Sequence, residues 1–283
     1  MVKFGPAGNC KSFYDAGYKR SIEAGKWLSE LGLTHYEYSF GKGILLSDEM
    51  AQAIGEEFKK YGVTISVHAP YYINFATPTE EMAEKSYQYV LNSIKKLRLL
   101  GGNRLIVHPA SMGKMNREDA VNLTKQRLIR LAEILRENGD DDILICLETM
   151  GKQAQIGTYQ EIIEFCQIAP NYIPAFDFGH INALYQGLLK TKEDYRQIFD
   201  LAIEKLGFDK VDKCHIHFSK IEYGAKGEIK HLTLDDNQYG PEFEPLAEVI
   251  KDLAINPVIV CESKEIMALD AIKLRDIYNR LNK

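Results

Sequence analysis

Ile143-Leu144-Ile145-Cys146-Leu147-Glu148 is an apolar run that stops on a carboxylate. A short apolar run of this kind reads as a buried strand of a parallel sheet. Its last residue matters because an unpaired carboxylate in apolar surroundings is costly. The same arrangement recurs on both sides. Thr64-Ile65-Ser66-Val67 runs into His68, and Leu105-Ile106-Val107 runs into His108. Downstream, Ile173-Pro174-Ala175-Phe176 runs into Asp177, with His180 three residues on. Residues 211–214 lead into His215, and Val258-Ile259-Val260-Cys261 into Glu262. One such ending means little. Six in order imply parallel strands that deliver their last side chains to one shared place.

Working outward, strand and helix alternate along the whole chain. Strands are expected at 2–5, 34–40, 64–68, 104–108, 143–148, 172–177, 211–218 and 257–262. Between and after them, helices are expected at 18–31, 48–61, 79–100, 116–138, 158–168, 192–206, 241–253 and 268–281. Gly32, Gly62, Gly139 and Gly207 stand where several of these helices should stop. Asp48, Thr79 and Asn116 stand where helices should begin. Strict alternation of eight strands with eight helices is the pattern of an α/β chain folded as a single (β/α)₈ TIM barrel over residues 1–283. A doubly wound open sheet would need a glycine fingerprint after an early strand, and Gly5-Pro6-Ala7-Gly8 is not one. No Pro/Ser-rich linker divides the chain. In a barrel of this type the active site lies at the C-terminal ends of the strands. His68, His108, Glu148, Asp177, His215 and Glu262 all fall there.

Composition is that of an ordinary soluble domain, with 45% hydrophobic and 27% charged residues over 283 positions. No uncharged apolar stretch is long enough to span a bilayer. Met1-Val2-Lys3-Phe4-Gly5-Pro6 lacks the basic region and apolar core of a signal peptide. A cytoplasmic enzyme is expected. The five cysteines include no CxxC pair, so buried reduced thiols are expected rather than a disulfide framework or a cysteine zinc site. The net charge of −5 argues against broad nucleic-acid binding through a basic surface. It leaves open a site where bound metal ions supply the positive charge.

Imidazole and carboxylate together suit zinc, manganese or iron. Several of each suggest more than one ion, because a carboxylate can bridge two. Ions held a few ångströms apart form a clamp for phosphoryl transfer. A single strand-end histidine is more often packed and hydrogen-bonded than a ligand, so the set carries more weight than any member. Glu148 and Glu262 have no cation within their own runs, and Arg104 lies at the wrong end of its strand to serve. In His215-Ile216-His217 the two histidines share a face, so either can ligate while the other stands behind it. His35 begins its strand, at the barrel bottom, and reads as structural.

At these residues the chain resembles the endonuclease IV family of apurinic/apyrimidinic endonucleases, within the xylose-isomerase-like barrels. The resemblance covers essentially the full length. Its carriers are His68-Ala69-Pro70-Tyr71-Tyr72-Ile73-Asn74, Val107-His108-Pro109, Leu147-Glu148-Thr149, Phe176-Asp177-Phe178-Gly179-His180, His215-Ile216-His217-Phe218-Ser219-Lys220, His231-Leu232-Thr233-Leu234 and Cys261-Glu262-Ser263. It implies a zinc cluster that cleaves the phosphodiester on the 5′ side of an abasic site in duplex DNA, by attack of metal-activated water. His68 and His108 would hold one ion, with Glu148 bridging to a second and serving as base. Asp177, His215 and Glu262 would complete the second, and His180 and His231 would hold the third. The family pattern at the third ion is Asp-x-His, and Ile229 stands where the aspartate belongs. Zn²⁺ is therefore expected at two sites, with Mn²⁺ as the alternative metal, and the third site is weakened unless the adjacent Glu228 replaces the lost carboxylate. Tyr71 and Tyr72 are the candidate wedges into DNA, and Lys42 and Lys220 the candidate phosphate contacts. Duplex DNA with an abasic site is the expected partner, with no protein partner and a monomeric chain. The competing function is a divalent-metal sugar isomerase or epimerase on the same barrel, which would rely mainly on carboxylate ligands. A barrel that keeps its ligands as relics fits less well, because the first and second sets are nearly complete.

Overall fold

The apolar runs form the strands of one parallel barrel in the computed structural model, which describes residues 1–41 and 43–281. The barrel strands are β1 (Lys3–Pro6), β2 (His35–Ser39), β3 (Thr64–His68), β4 (Arg104–Val107), β5 (Leu144–Glu148), β6 (Tyr172–Asp177), β7 (His215–Phe218) and β8 (Val258–Cys261). They hydrogen-bond in the order β1-β8-β7-β6-β5-β4-β3-β2. The sheet nearly closes between β1 and β2, where Thr34 N–H donates to the Phe4 carbonyl at 3.0 Å. Gly5 permits this approach: a Cβ there would sit 1.8 Å from the His35 carbonyl oxygen.

Residues alternate along each strand between the helical layer and the barrel interior. Leu105, Val107, Ile145 and Leu147 face outward into the large core shared with the helices. Ile106, Cys146, Ile173 and Ala175 form a separate apolar cluster. They share the inward phase of His108, Glu148 and Asp177, so they plug the barrel beneath the strand ends. Among the described residues no helix is long and apolar enough to cross a membrane. All five cysteines are buried and free.

Helix starts follow side-chain capping. Thr79 accepts from Met82 N–H at 3.3 Å, and Asn116 accepts from Asp119 N–H at 2.9 Å. Ser47, rather than Asp48, caps the helix Asp48–Lys60 by accepting from Met50 N–H at 3.2 Å. The expected first helix is broken into a 3₁₀ turn, Ser21–Glu23, and a helix, Ala24–Glu30. The seventh strand begins later than expected. Phe208–Asp212 is a short helix after Gly207, and it buries Val211 from that helix instead of from a strand. Several elements beyond the strand ends were not anticipated: a short helix after β1, Lys11–Asp15, a two-residue antiparallel ladder of Ala110–Ser111 with Gln155–Ile156, a helix directly after β6, Phe178–Leu184, and an antiparallel hairpin of Ile221–Gly224 with Gly227–His231.

Candidate metal centre

The strand ends, the helix after β6, the hairpin and the loop carrying Lys152 and Gln155 line a cavity of about 380 Å³. Glu148 lies at its base, 1% exposed. The two oxygens of its carboxylate face different histidines. Oε2 lies 3.1 Å from His68 Nε2 and 3.0 Å from His108 Nε2. Oε1 lies 3.0 Å from His217 Nδ1 and 3.5 Å from His180 Nδ1. Burial would raise this carboxyl, but His108 and His217 outweigh it and hold Glu148 well below the usual range. Burial likewise pulls His68 down, while the hydrogen bond and charge of Glu148 bring it up to about 9.

Asp177 ends β6 and caps the helix that follows, its Oδ1 accepting from His180 N–H at 2.7 Å. That cap fixes the carboxylate and directs its other oxygen inward. Oδ2 is buried and makes no hydrogen bond among the described residues, its near neighbour being His180 Nδ1 at 3.3 Å. One helical turn on, His180 enters the same cavity. Burial opposes its protonation, but Asp177, Glu148 and Glu228 raise it to about 9. Burial, reinforced by Glu148 and Asp177, raises the Glu262 carboxyl.

The ligand atoms fall into sets able to hold a divalent ion. His68, His108 and Glu148 form one; Glu148, Asp177, His217 and Glu262 another; His180, Glu228 and His231 a third; and Glu37, His215 and His217 a fourth, buried beneath the cavity; within each set the atoms lie within 4.8 Å of one another. Three of the histidines are anchored in the same sense. Nδ1 of His68 lies 2.9 Å from the Ala69 carbonyl, and Nδ1 of His180 lies 3.0 Å from the Thr149 carbonyl. Nδ1 of His231 lies 2.8 Å from Ser219 Oγ. Each anchor leaves Nε2 directed at a carboxylate, Glu148 for His68 and Glu228 for His180 and His231, as metal-binding imidazoles require. The orphaned Asp177 Oδ2 and these fixed orientations fit a set of divalent cations.

The second set corrects the sequence reading. His217, not His215, faces Glu148, Asp177 and Glu262. The strand register gives the reason: His217 pairs with Asp177, whereas His215 pairs with Ala175, two residues deeper in the barrel. There His215 is fully buried, with Nε2 3.1 Å from Glu37 Oε2, and burial pulls it down to about 4. His35 is also buried, between Thr64 Oγ1 at 2.8 Å and Ser66 Oγ at 2.9 Å, as a structural residue should be.

At the third set the missing aspartate is offset by a bulge. The hairpin pairs Tyr223 with Glu228 and Glu222 with Lys230, so Ile229 is the extra residue. In a regular strand residues 229 and 231 would share a face. The bulge turns Ile229 outward, 56% exposed, and brings Glu228 onto the face of His231. Glu228 Oε2 lies 3.5 Å from His180 Nε2, and Oε1 lies 3.8 Å from His231 Nε2.

The candidate DNA contacts divide. Tyr71 lines the cavity, its ring 5.6 Å from those of His68 and His108. Tyr72 packs on Tyr89 at 5.9 Å instead. Lys220 is not a phosphate contact. It is buried, and its Nζ donates to the Asp236 carbonyl at 2.7 Å and to Glu242 Oε1 at 2.6 Å. Lys42 lies outside the described residues. The lysine that does line the cavity is Lys152, 3.7 Å from Glu228 Oε2. No strand-end signal marks it in the sequence, because it lies on a loop.

Residues 26–275 match the model of the xylose isomerase-like TIM barrel, and the chain belongs to that family. It is 31% identical to an uncharacterized protein of Methanocaldococcus jannaschii, over 99% of this chain and 98% of that one. It is 30% identical to a probable endonuclease 4 of Staphylococcus carnosus, over 64% of this chain and 60% of that one. Among solved structures, a D-tagatose 3-epimerase-like protein superposes with a TM-score of 0.70 at 21% identity, covering 99% of this chain and 98% of its own. Endonuclease IV from Thermus thermophilus superposes with a TM-score of 0.66 at 20% identity, covering 99% of each chain.

Proposed function

We propose that this protein is a metal-dependent phosphodiesterase that cleaves duplex DNA 5′ to abasic sites. The observation that carries the reading is the split carboxylate of Glu148, with one oxygen facing His68 and His108 and the other facing His217 and His180. A residue so placed belongs to two ligand sets at once, as a multi-ion site requires. Similarity in sequence to probable endonuclease 4 proteins supports the same reading.

His68 and His108 with Glu148 would hold one ion, Asp177, His217 and Glu262 with Glu148 a second, and His180, Glu228 and His231 a third. Zinc ions bound there supply Lewis acidity for a phosphodiester and for the attacking water. The protein's own contribution is positional. The anchored histidines and the capped Asp177 keep the ligand atoms in place before substrate arrives, which lowers the reorganisation needed during reaction. Lys152 offers a cation to a phosphate oxygen at the cavity wall. The exposed ring of Tyr71 offers a stacking face beside His68 and His108, suited to a nucleotide drawn out of the duplex.

The direct test is a duplex carrying one abasic analogue. The protein should nick it on the 5′ side and leave a 3′-hydroxyl, with activity lost to a chelator and restored by zinc. Metal-loaded protein that leaves this duplex intact, yet interconverts a ketose with its epimer, would establish the second reading. That reading, a sugar isomerase or epimerase, is favoured by one observation: Glu148, Asp177, His217 and Glu262 form a mainly carboxylate set able to hold a single ion.

A further inference from the structure

We infer that Glu37 is a positioning residue for His217, holding the imidazole by Nε2 so that Nδ1 faces Glu148, Asp177 and Glu262. The inference rests on the reading of that group as a metal site. Glu37 lies on β2 inside the barrel and is completely buried. Its Oε1 lies 2.9 Å from His217 Nε2, on the side of the ring opposite the cavity. Its Oε2 accepts from Ser66 Oγ at 2.8 Å and lies 3.1 Å from His215 Nε2. Ser66 and His215 thus occupy one oxygen and leave the other to His217.

His217 differs from the other anchored histidines. His68, His180 and His231 are held at Nδ1 by a carbonyl or a hydroxyl and present Nε2. His217 presents Nδ1, 3.0 Å from Glu148 Oε1. A neutral imidazole that gives its Nδ1 lone pair to a metal must carry its proton on Nε2. Among the described residues neither His217 Nε2 nor Glu37 Oε1 makes a hydrogen bond to any other group, and the two lie 2.9 Å apart as a buried ion-pair contact. A carboxylate behind a ligating histidine fixes both ring orientation and tautomer. Glu37 also accounts for the buried histidine beneath the centre: His215 lies 3.1 Å from the carboxylate, on the side away from the cavity, and does not line the cavity.

The test compares full-length wild type with Glu37→Leu and Glu37→Gln, measuring zinc affinity by chelator competition and the number of ions bound at saturation. Glu37→Leu should weaken the affected ion about 10–100-fold without changing the number bound. Glu37→Gln keeps an acceptor oxygen but not the charge, and should fall between. In zinc-loaded wild type, long-range ¹H–¹⁵N spectra should show His217 metal-bound at Nδ1 and protonated at Nε2. This arm holds even if the variants fail to fold. A wild type that takes up no zinc removes the metal reading and the inference together. A wild type that binds zinc, beside folded variants of equal affinity, overturns the role of Glu37 alone. Loss of one whole ion in the variants would make Glu37 a ligand rather than a positioning residue, and an Nε2-bound His217 would likewise overturn the inference.

Discussion

Ile229 breaks the third ligand set in the sequence, yet a carboxylate stands at that place in space. One extra residue in the hairpin shifts the side-chain phase, so a glutamate one position earlier takes the face that an aspartate at 229 would occupy. Glu228→Ala should therefore lower the zinc bound at saturation by one ion, while Ile229→Ala should leave the count unchanged, as read by elemental analysis of the two purified variants. Lys220 shows the opposite case, a residue that suits a role by sequence and is committed elsewhere. Its buried ammonium is satisfied by the Asp236 carbonyl and by the solvent-exposed carboxylate of Glu242. Lys220→Ala should cost roughly 1–3 kcal/mol of stability through lost charge-assisted hydrogen bonds. It should leave the salt dependence of DNA binding unchanged. A shallower salt slope with unaltered denaturant midpoint would return Lys220 to the DNA interface.

At the scale of elements, the third set depends on how the hairpin meets the loop after β5. Glu228 N–H donates to the Gly151 carbonyl at 2.9 Å. Gly227 has φ +98°, and a Cβ there would lie 2.1 Å from that same carbonyl oxygen. Gly227→Ala combines an unfavourable backbone conformation with a clash against main chain, neither of which a rotamer change relieves. It should destabilise the fold by more than about 1 kcal/mol. It should also remove the ion of His180, Glu228 and His231 while the other sets keep theirs, which separates hairpin placement from collapse of the barrel. What the sequence made legible follows from the same geometry. Barrel strands and capped helices carry strong periodic and terminal signals, so Thr64–His68, Tyr172–Asp177 and the helices after Thr79 and Asn116 are legible at or near their bounds. The hairpin is not, because its strands are four and five residues long and partly exposed, too short for an apolar alternation to stand out. The choice between His215 and His217 needs the register of β7 against β6, which depends on barrel stagger rather than on local sequence. Glu37 is within reach of sequence reasoning by a different signal from the strand-end one: a carboxylate between Tyr36 and Tyr38 within a strand is costly to bury without a partner.

Across the whole molecule, likeness in fold to both an epimerase-like protein and an endonuclease IV leaves the chemistry to the site, because barrels of one architecture support many reactions. What the barrel imposes is a dense packing of ionisable groups over an apolar plug, and this couples metal uptake to pH. In the metal-free protein His68 and His180 are raised to about 9 from an ordinary value near 6.5. A raised folded-state pKa stabilises the metal-free fold fully below the unfolded value, and that contribution is lost as pH rises through about 9. A divalent ion needs the neutral imidazole, so it must expel these protons, and its own contribution runs the other way. Glu148, held low, is ionised throughout this interval and adds no slope. The rise in melting temperature produced by a fixed concentration of free zinc should therefore grow between about pH 6.5 and 9, as thermal scans with zinc and with chelator at stepped pH would record. Calorimetric titrations in buffers of different ionisation enthalpy should show protons released on zinc binding near neutral pH. A zinc-induced shift that is flat across this range, or proton uptake on binding, would mean that these histidines are neutral before metal arrives and that Glu148 does not control their charge.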